Sequence, residues 1–373
     1  MLEGLKNKYL HLPKAVLVLI TLLSFFGLII MFVAGGGSIF PYAFKQGIFF
    51  VVFYIIMLMT IFVDLKYIYS FSYFFYFVSL VLLILVEVVG HKAMGATRWI
   101  NLGFFKMQPS ELMKISLVLA LAKYFHTLGE ERLRFRSLLT PIFLILLPSL
   151  VIMKQPDLGT GIIIIMVGGV VLFLAGTQPW KFAFAALSVC LIAPILWTKL
   201  HAYQKKRVEI FLNPELDPLG SGYNIIQSKI AIGSGGLFGK GFLEGTQAQL
   251  EFLPEHQTDF VFPMFAEEFG FIGSMFLLSV YFMLMIFGIK VANHSKTLFG
   301  RYSVYGLISI FIFHVLINMG MVMGLLPVVG IPLPFMSYGG TILGATFLIF
   351  GIIINVHVSK KIVLPQSSVK YLF

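Results

Sequence analysis

Ionisable residues stand out in this chain because most of the residues around them are apolar. In such surroundings a carboxylate can act as a general base, and an arginine or lysine can stabilise an anion such as a phosphate. One such carboxylate is Asp259, which precedes a long apolar run in Thr258-Asp259-Phe260. An aspartate in that position is also typical of a helix N-cap. The neighbouring residues by themselves favour a capping role for Asp259 over a catalytic one.

A second carboxylate, Glu111, stands three residues before Lys114 at the start of another apolar run. Proline at position 109 and an acid in the first turn are ordinary features of a helix start, but a cation there opposes the helix dipole. Residues three apart share a helix face, and each charge alone is costly near lipid. The spacing therefore predicts an ion pair that faces the protein interior, with either a structural or a catalytic role.

Three further charged positions mark connections between apolar runs. Asp157, after Gln155-Pro156, is more typical of a first-turn acid than of a reactive group. Arg98 stands beside Trp99, which suits either an interfacial anchor or an anion site. Arg207 follows two lysines, and this basic stretch could meet lipid headgroups or a phosphorylated substrate.

Two stretches are rich in helix-breaking residues. Glycines recur from Gly220 to Gly245, which predicts tight turns and close backbone packing. Prolines at 327, 332 and 334 precede Ser337, and they cannot continue a helix. The second stretch is therefore predicted to be a bent, non-helical segment buried in protein.

The elements that must position these residues are membrane helices. Hydrophobic residues make up 59% of the chain and charged residues 12%, whereas soluble proteins carry about 25% charged residues. Apolar runs of membrane-spanning length recur along the whole chain. We predict an all-α, polytopic integral membrane protein of about ten transmembrane helices, forming one domain over 1–373 with a long extracytoplasmic loop, 199–259, between helices 7 and 8. The predicted helices are 14–34, 41–63, 67–89, 108–126, 138–154, 158–176, 179–198, 260–290, 302–325 and 338–358.

The net charge of +11 is explained by topology rather than by nucleic acid, which we exclude as a partner. Positive residues favour the cytoplasmic side, so both termini are predicted to lie there. The single cysteine, Cys190, excludes an internal disulfide and is expected to pack in the core. Fifteen of the 27 basic residues fall on the side of the N-terminus: Lys6, Lys8, Lys14, Lys66, Lys123, Arg132, Arg134, Arg136, Lys181, Lys290, Lys296, Arg301, Lys360, Lys361 and Lys370.

Five motifs in order along the chain resemble those of the SEDS family of cell-wall polymerases. Two further stretches, 245–254 and 326–332, resemble its elongation branch more than its division branch. The match extends over essentially the whole chain. The motifs are Arg98-Trp99, Gln108-Pro109-Ser110-Glu111 with Lys114, Gln155-Pro156-Asp157-Leu158-Gly159-Thr160, Leu253-Pro254-Glu255 with Thr258-Asp259-Phe260, and Ser337-Tyr338-Gly339-Gly340.

The resemblance implies a peptidoglycan glycosyltransferase that joins lipid II, an undecaprenyl-diphosphate-linked disaccharide-pentapeptide, into glycan strands on the outer face of the bacterial cytoplasmic membrane. It implies a class B penicillin-binding protein and other elongation-complex membrane proteins as partners, and a divalent cation, Mg or Mn, as helper. The family's essential acid falls on Asp259, which reverses the preference for a cap. We expect the substrate near Arg98, Glu111, Lys114, Asp157, Arg207 and Ser337.

The chain departs from the family pattern at one position, because the family usually has histidine directly before the Thr-Asp pair. Here Gln257 fills that position and His256 stands one residue earlier. A single carboxylate suggests direct displacement with inversion at the anomeric carbon, since retention normally uses a second carboxylate. Two alternatives are a lipid II flippase, which needs polar groups along both halves of its path, and a non-catalytic scaffold for the penicillin-binding protein.

Overall fold

The computed structural model describes residues 8–89, 91–93, 96–101, 103, 106–129, 135–199, 202–218, 220–246, 257–359 and 364. Within these ranges the chain is largely helical, and ten helices follow the predicted runs, with ends that differ by at most four residues. They are α1 (Lys14–Ala34), α2 (Tyr42–Phe62), α3 (Leu65–Val89), α4 (Pro109–Leu128), α5 (Phe135–Lys154), α6 (Leu158–Leu174), α7 (Pro179–Lys199), α10 (Val261–Asn293), α11 (Leu298–Val322) and α12 (Gly340–Val358). The all-α membrane fold is confirmed.

Seven of the ten helices are long and apolar enough to cross a membrane, namely α1, α2, α3, α5, α10, α11 and α12. Helices α6 and α7 are apolar, but each has an apolar stretch shorter than 18 residues. Helix α4 carries the charges of Glu111, Lys114 and Lys123, and most of its residues are buried. It packs against α3, α6 and α11, which fits a central helix whose polar groups face protein rather than lipid.

The long connection before α10 contains structure that hydrophobic patterning did not predict. Helix α8 (Ala202–Leu212), a 3-10 turn (Pro214–Leu216) and helix α9 (Ser221–Ser234) form an arm, and α9 packs against α10. The Ser228 hydroxyl donates a hydrogen bond of 2.5 Å to the Val322 carbonyl at the end of α11. The arm is therefore anchored to the bundle by contacts with two helices.

A small antiparallel sheet closes the connection between α3 and α4. Its strands are β1 (His91–Ala93), β2 (Ala96–Asn101) and β3 (Lys106–Met107), in the order β1-β2-β3. The Thr341 hydroxyl at the start of α12 donates to the Lys106 carbonyl at 2.7 Å, so this sheet joins α12. The end of the bundle that carries the sheet is called the sheet end below.

The glycine-rich stretch packs closely, as predicted. Gly239 has φ +85°, and a Cβ there would lie 2.0 Å from the Glu268 carbonyl oxygen. Gly270 packs against Gly239 and has φ +65°. A Cβ at Gly270 would lie 2.2 Å from the Gly239 nitrogen. Two backbones can approach this closely only without side chains, so both positions require glycine.

The expectation for Cys190 is wrong, because its side chain is exposed rather than packed in the core. Helix α7 lies at the periphery, and its outward residues Phe184, Leu187 and Leu191 are 65%, 58% and 71% exposed. Hydrophobic patterning cannot distinguish the lipid-facing side of such a helix from its protein-facing side, since both are apolar.

Candidate functional site

The proline-rich segment, residues 326–339, connects α11 to α12 at the sheet end and is non-helical, as predicted, and it is buried over residues 333–337. The Tyr281 hydroxyl donates to the Pro334 carbonyl at 2.6 Å. Gln46 on α2 donates to the Ser337 carbonyl at 3.0 Å and accepts from the Gly339 N–H at 3.3 Å. Bonds from α10 and α2 thus satisfy three backbone groups of this irregular segment.

Asp259 lies in a turn, residues 257–260, that runs directly into α10. Each of the first three carbonyls of this turn accepts a hydrogen bond from elsewhere in the chain, which fixes its main chain. The bonds are Tyr338 N–H to Gln257 O at 2.8 Å, Ser337 Oγ to Thr258 O at 2.5 Å, and Asn318 Nδ2 to Asp259 O at 2.9 Å.

The N-cap position of α10 is occupied by Phe260, whose side chain makes no capping hydrogen bond. Asp259 therefore lies one residue before the cap position that the residues alone favoured for it. The carboxylate of Asp259 instead lies beside Gly330, where a Cβ would stand 3.2 Å from Oδ2. Gly330 has φ +72°, so glycine both permits the local backbone and leaves space for the carboxylate.

Arg98 and Asp157 meet near the same segment. Asp157 is the N-cap of α6, one position before the first turn expected for it, and it accepts from the Thr160 N–H at 3.2 Å and the Thr160 hydroxyl at 2.9 Å. Arg98 Nε donates to the Gln155 carbonyl at 3.2 Å and lies 4.0 Å from Asp157 Oδ2. The guanidinium also donates to the Pro156 carbonyl, so Arg98 holds the connection between α5 and α6.

The start of α6 also touches the proline-rich segment, because a Cβ at Gly159 would lie 3.1 Å from Val329 Cβ. Val329 immediately precedes Gly330, the neighbour of the Asp259 carboxylate. The Arg98–Asp157 group and the Asp259 turn therefore pack on adjacent residues of one segment.

Glu111 and Lys114 form the predicted ion pair, with 2.7 Å between Glu111 Oε1 and Lys114 Nζ. Lys114 is 1% exposed and Glu111 6%, so the pair is buried. A third member was not predicted: His314 Nε2 on α11 lies 2.6 Å from Lys114 Nζ. A lysine ammonium has only donors, so Nε2 must accept and the neutral imidazole carries its proton on Nδ1.

Arg207 lies half-buried on α8, which packs against the 3-10 turn and α9. Its neighbour Lys206 pairs with Asp217 at 3.2 Å. Arg207 thus belongs to the arm, whereas Arg98, Asp157 and Ser337 lie in or beside the proline-rich segment.

A carboxylate clamp at the start of α10 was also not predicted. Glu267 and Glu268 are 0% and 2% exposed. Glu267 Oε1 accepts from Lys240 Nζ at 2.6 Å and from the Thr246 N–H at 3.0 Å. Glu268 accepts the N–H groups of Leu243 at 2.6 Å and Gly245 at 3.1 Å. The clamp fixes the chain up to residue 246, before the stretch that leads to Asp259.

Asn318 and His314 were missed although the sequence carries a signal for them. Both are polar residues in an apolar run, spaced four apart and hence on one helix face. Polar side chains inside a membrane helix are costly and need a partner. That argument singled out Lys114 and applies equally to these two residues.

The expected divalent cation has no evident site among the described residues, where no three His, Cys, Asp or Glu side chains gather as metal ligands. Glu255 and His256 lie outside the described residues.

Residues 10–362 match the family described as "Cell cycle protein", which groups FtsW, RodA and SpoVE. The chain belongs to this family. It is 46% identical over 280 residues to "Peptidoglycan glycosyltransferase MrdB" of Escherichia coli, covering 74% of this chain and 75% of that protein. It is 40% identical over 281 residues to "Stage V sporulation protein E" of Bacillus subtilis, covering 73% and 74%.

Solved structures support the same family. Rod shape determining protein RodA of Thermus thermophilus superposes with a TM-score of 0.72 at 27% identity, covering 94% of this chain and 98% of that chain. A chain from a peptidoglycan synthase complex that coordinates polymerization and crosslinking gives a TM-score of 0.81 at 29% identity, with the same coverage. The chain is accordingly an integral protein of the bacterial cytoplasmic membrane.

Proposed function

We propose that this chain polymerises lipid II into glycan strands at the outer face of the membrane, with Asp259 as general base. Its class of activity is that of its family: the chain is a peptidoglycan glycosyltransferase of cell elongation. The observation that carries the finer proposal is the Asp259 turn. Its main chain is fixed by three hydrogen bonds, and its carboxylate lies beside a glycine that leaves room.

A sugar hydroxyl is a poor nucleophile at neutral pH and needs a base within hydrogen-bond reach. As the acceptor oxygen bonds to the anomeric carbon of the donor, its proton passes to the Asp259 carboxylate. The bond from that carbon to the diphosphate oxygen breaks, and its electron pair leaves with undecaprenyl diphosphate. One displacement at this carbon inverts its configuration.

The leaving diphosphate gains negative charge, which a cation can stabilise. Lys114 is 1% exposed and bound to Glu111 and His314, so it is poorly placed to meet a lipid diphosphate. Arg98 is 26% exposed in its side chain and lies near the proline-rich segment, and Arg207 lies on the arm. We therefore assign the diphosphate to Arg98 and Arg207, and the Glu111–Lys114 pair to support of the site.

The proposed reaction side requires the sheet end to face outward, with both termini cytoplasmic. In a Cys190→Ser background, Asp217→Cys on the arm should react with a membrane-impermeant maleimide applied to intact spheroplasts. Lys296→Cys, exposed between α10 and α11 at the opposite end, should react only after lysis. The reverse pattern would place the site in the cytoplasm and overturn the proposal.

Reconstitution tests the activity itself. Purified chain in liposomes with a class B penicillin-binding protein and lipid II should yield glycan polymer on gels. A flippase would move lipid II across the bilayer without making polymer, and a scaffold would do neither. Absence of polymer from a folded complex would contradict the proposed reaction.

A further inference from the structure

Asn318 on α11 joins two parts of the site that lie far apart in sequence. It is 0% exposed, and its Nδ2 donates to the Asp259 carbonyl at 2.9 Å and to the Ile331 carbonyl at 2.7 Å. An amide nitrogen has two N–H groups, and both are used here. Turning the amide over would place its oxygen against two carbonyl oxygens, so the orientation is fixed.

Among the described residues, three main-chain bonds hold the Asp259 turn, and the one from Asn318 comes from a regular helix. The other two come from Ser337 and Tyr338, which belong to the irregular proline-rich segment. Helix α11 is 25 residues long and buried over much of its surface. Asn318 therefore sets the position of Asp259 relative to a rigid element.

Asn318 also holds the backbone of the proline-rich segment beside the Asp259 carboxylate, through the Ile331 carbonyl. Ile331 follows Gly330, the residue whose Cβ position lies 3.2 Å from Asp259 Oδ2. By holding the carbonyls of Asp259 and Ile331 at once, the amide fixes the distance between the carboxylate and Gly330. If the amide were lost, the buried Ile331 carbonyl and the half-buried Asp259 carbonyl would lose a donor and the turn could shift.

We propose that Asn318 is a positioning residue for glycosyl transfer, acting through the main chain of Asp259. This rests on the proposed function, in which Asp259 is the base. A displacement of a reacting group by about 1 Å can cost about 100-fold in rate. The loss of Asn318 donors should therefore lower kcat much more than it raises KM, because substrate contacts are left in place.

The chain offers a matched control at the other end of the bundle. Asn355 on α12 is also 0% exposed, and its Nδ2 also bridges main-chain carbonyls. It donates to Thr60 at 2.9 Å, Ile61 at 3.0 Å and Val63 at 2.7 Å, where α2 ends. Asn355 is thus another fully buried amide that donates to main-chain carbonyls, although its Oδ1 also accepts from the Ser359 hydroxyl at 3.3 Å, and no contact among the described residues joins it to the Asp259 turn.

The test compares Asn318→Asp with Asn355→Asp, since aspartate keeps the size of the side chain and removes its N–H donors. Full-length protein with its penicillin-binding protein partner is assayed for lipid II polymerisation, and the melting temperature is measured on each sample. Asn318→Asp should lower kcat on the order of 100-fold with KM changed less than about threefold. Asn355→Asp should keep kcat within about threefold at a comparable loss of melting temperature.

If Asn318→Asp does not fold, Asn318→Ser serves instead, because serine keeps one donor and should lose about tenfold in kcat. Equal kcat for the Asn318 and Asn355 variants at equal melting temperature would overturn the positioning role. Different results would overturn the proposed function itself: the unsubstituted complex would make no polymer, or Asp259→Asn would polymerise lipid II normally.

Discussion

Asp259→Asn is expected to lower lipid II polymerisation by on the order of 100-fold or more, while the protein still folds and binds its partner. An amide cannot accept a proton at useful pH, so the variant lacks a base. The main-chain bonds that hold the turn remain possible, because they involve the Asp259 carbonyl rather than its side chain. The measurement is polymer formation by the purified complex, with thermal unfolding of the same sample.

Asp217→Asn is the matched control for this change. Asp217 is another carboxylate before α9, where it pairs with Lys206 at 3.2 Å and accepts from the Ser221 N–H at 3.1 Å. We expect polymerisation by Asp217→Asn within about threefold of normal, since this residue has no part in the proposed proton transfer. Near-normal polymer yield from Asp259→Asn would instead move the search for the base to Glu111 and Asp157.

The helices were predictable because a membrane makes their pattern simple. A membrane span must be apolar for about 20 residues, and the apolar runs together with the residues that start helices placed all ten helices to within four residues. The Glu111–Lys114 pair was predictable for the complementary reason, since two charges in an apolar run on one helix face must pair. Local rules also placed Asp157 at the start of α6.

What could not be predicted depends on contacts between distant parts of the chain. Asp259 fits the local pattern of an N-cap, but the helix begins one residue later than that reading requires. His314 meets Lys114 across 200 positions of sequence. No local rule gives the partner of a polar residue on another helix, so the sequence could indicate that these residues need partners but not which ones.

The buried pair links the site to the rest of the fold through one helix face. On α11, His314 contacts Lys114. Asn318 lies one turn later on the same helix face and contacts the Asp259 turn. A change at Lys114 can therefore affect the Asp259 turn through α11. This makes it necessary to separate loss of folding from loss of reaction when the pair is tested.

Lys114→Met is expected to destabilise the protein by about 3–5 kcal/mol, because it leaves the Glu111 charge buried without a partner. Methionine approximates the length of lysine, so loss of volume contributes little. The control is Lys154→Met, which breaks the Lys154–Glu87 pair at 3.4 Å, whose lysine side chain is 76% exposed. That pair should contribute less than about 1 kcal/mol. Thermal or denaturant unfolding in detergent measures both.

The double variant Glu111→Gln with Lys114→Met completes the test, because it removes both buried charges together. Replacing a whole buried pair is often close to neutral, whereas removing one member is not, so most of the lost stability should return. Polymerisation by this folded double variant then separates the two roles of the pair. Recovered polymer would make the pair structural, and a folded but inactive protein would show that its charges act in the reaction. An unchanged melting temperature for Lys114→Met would contradict a buried ion pair altogether.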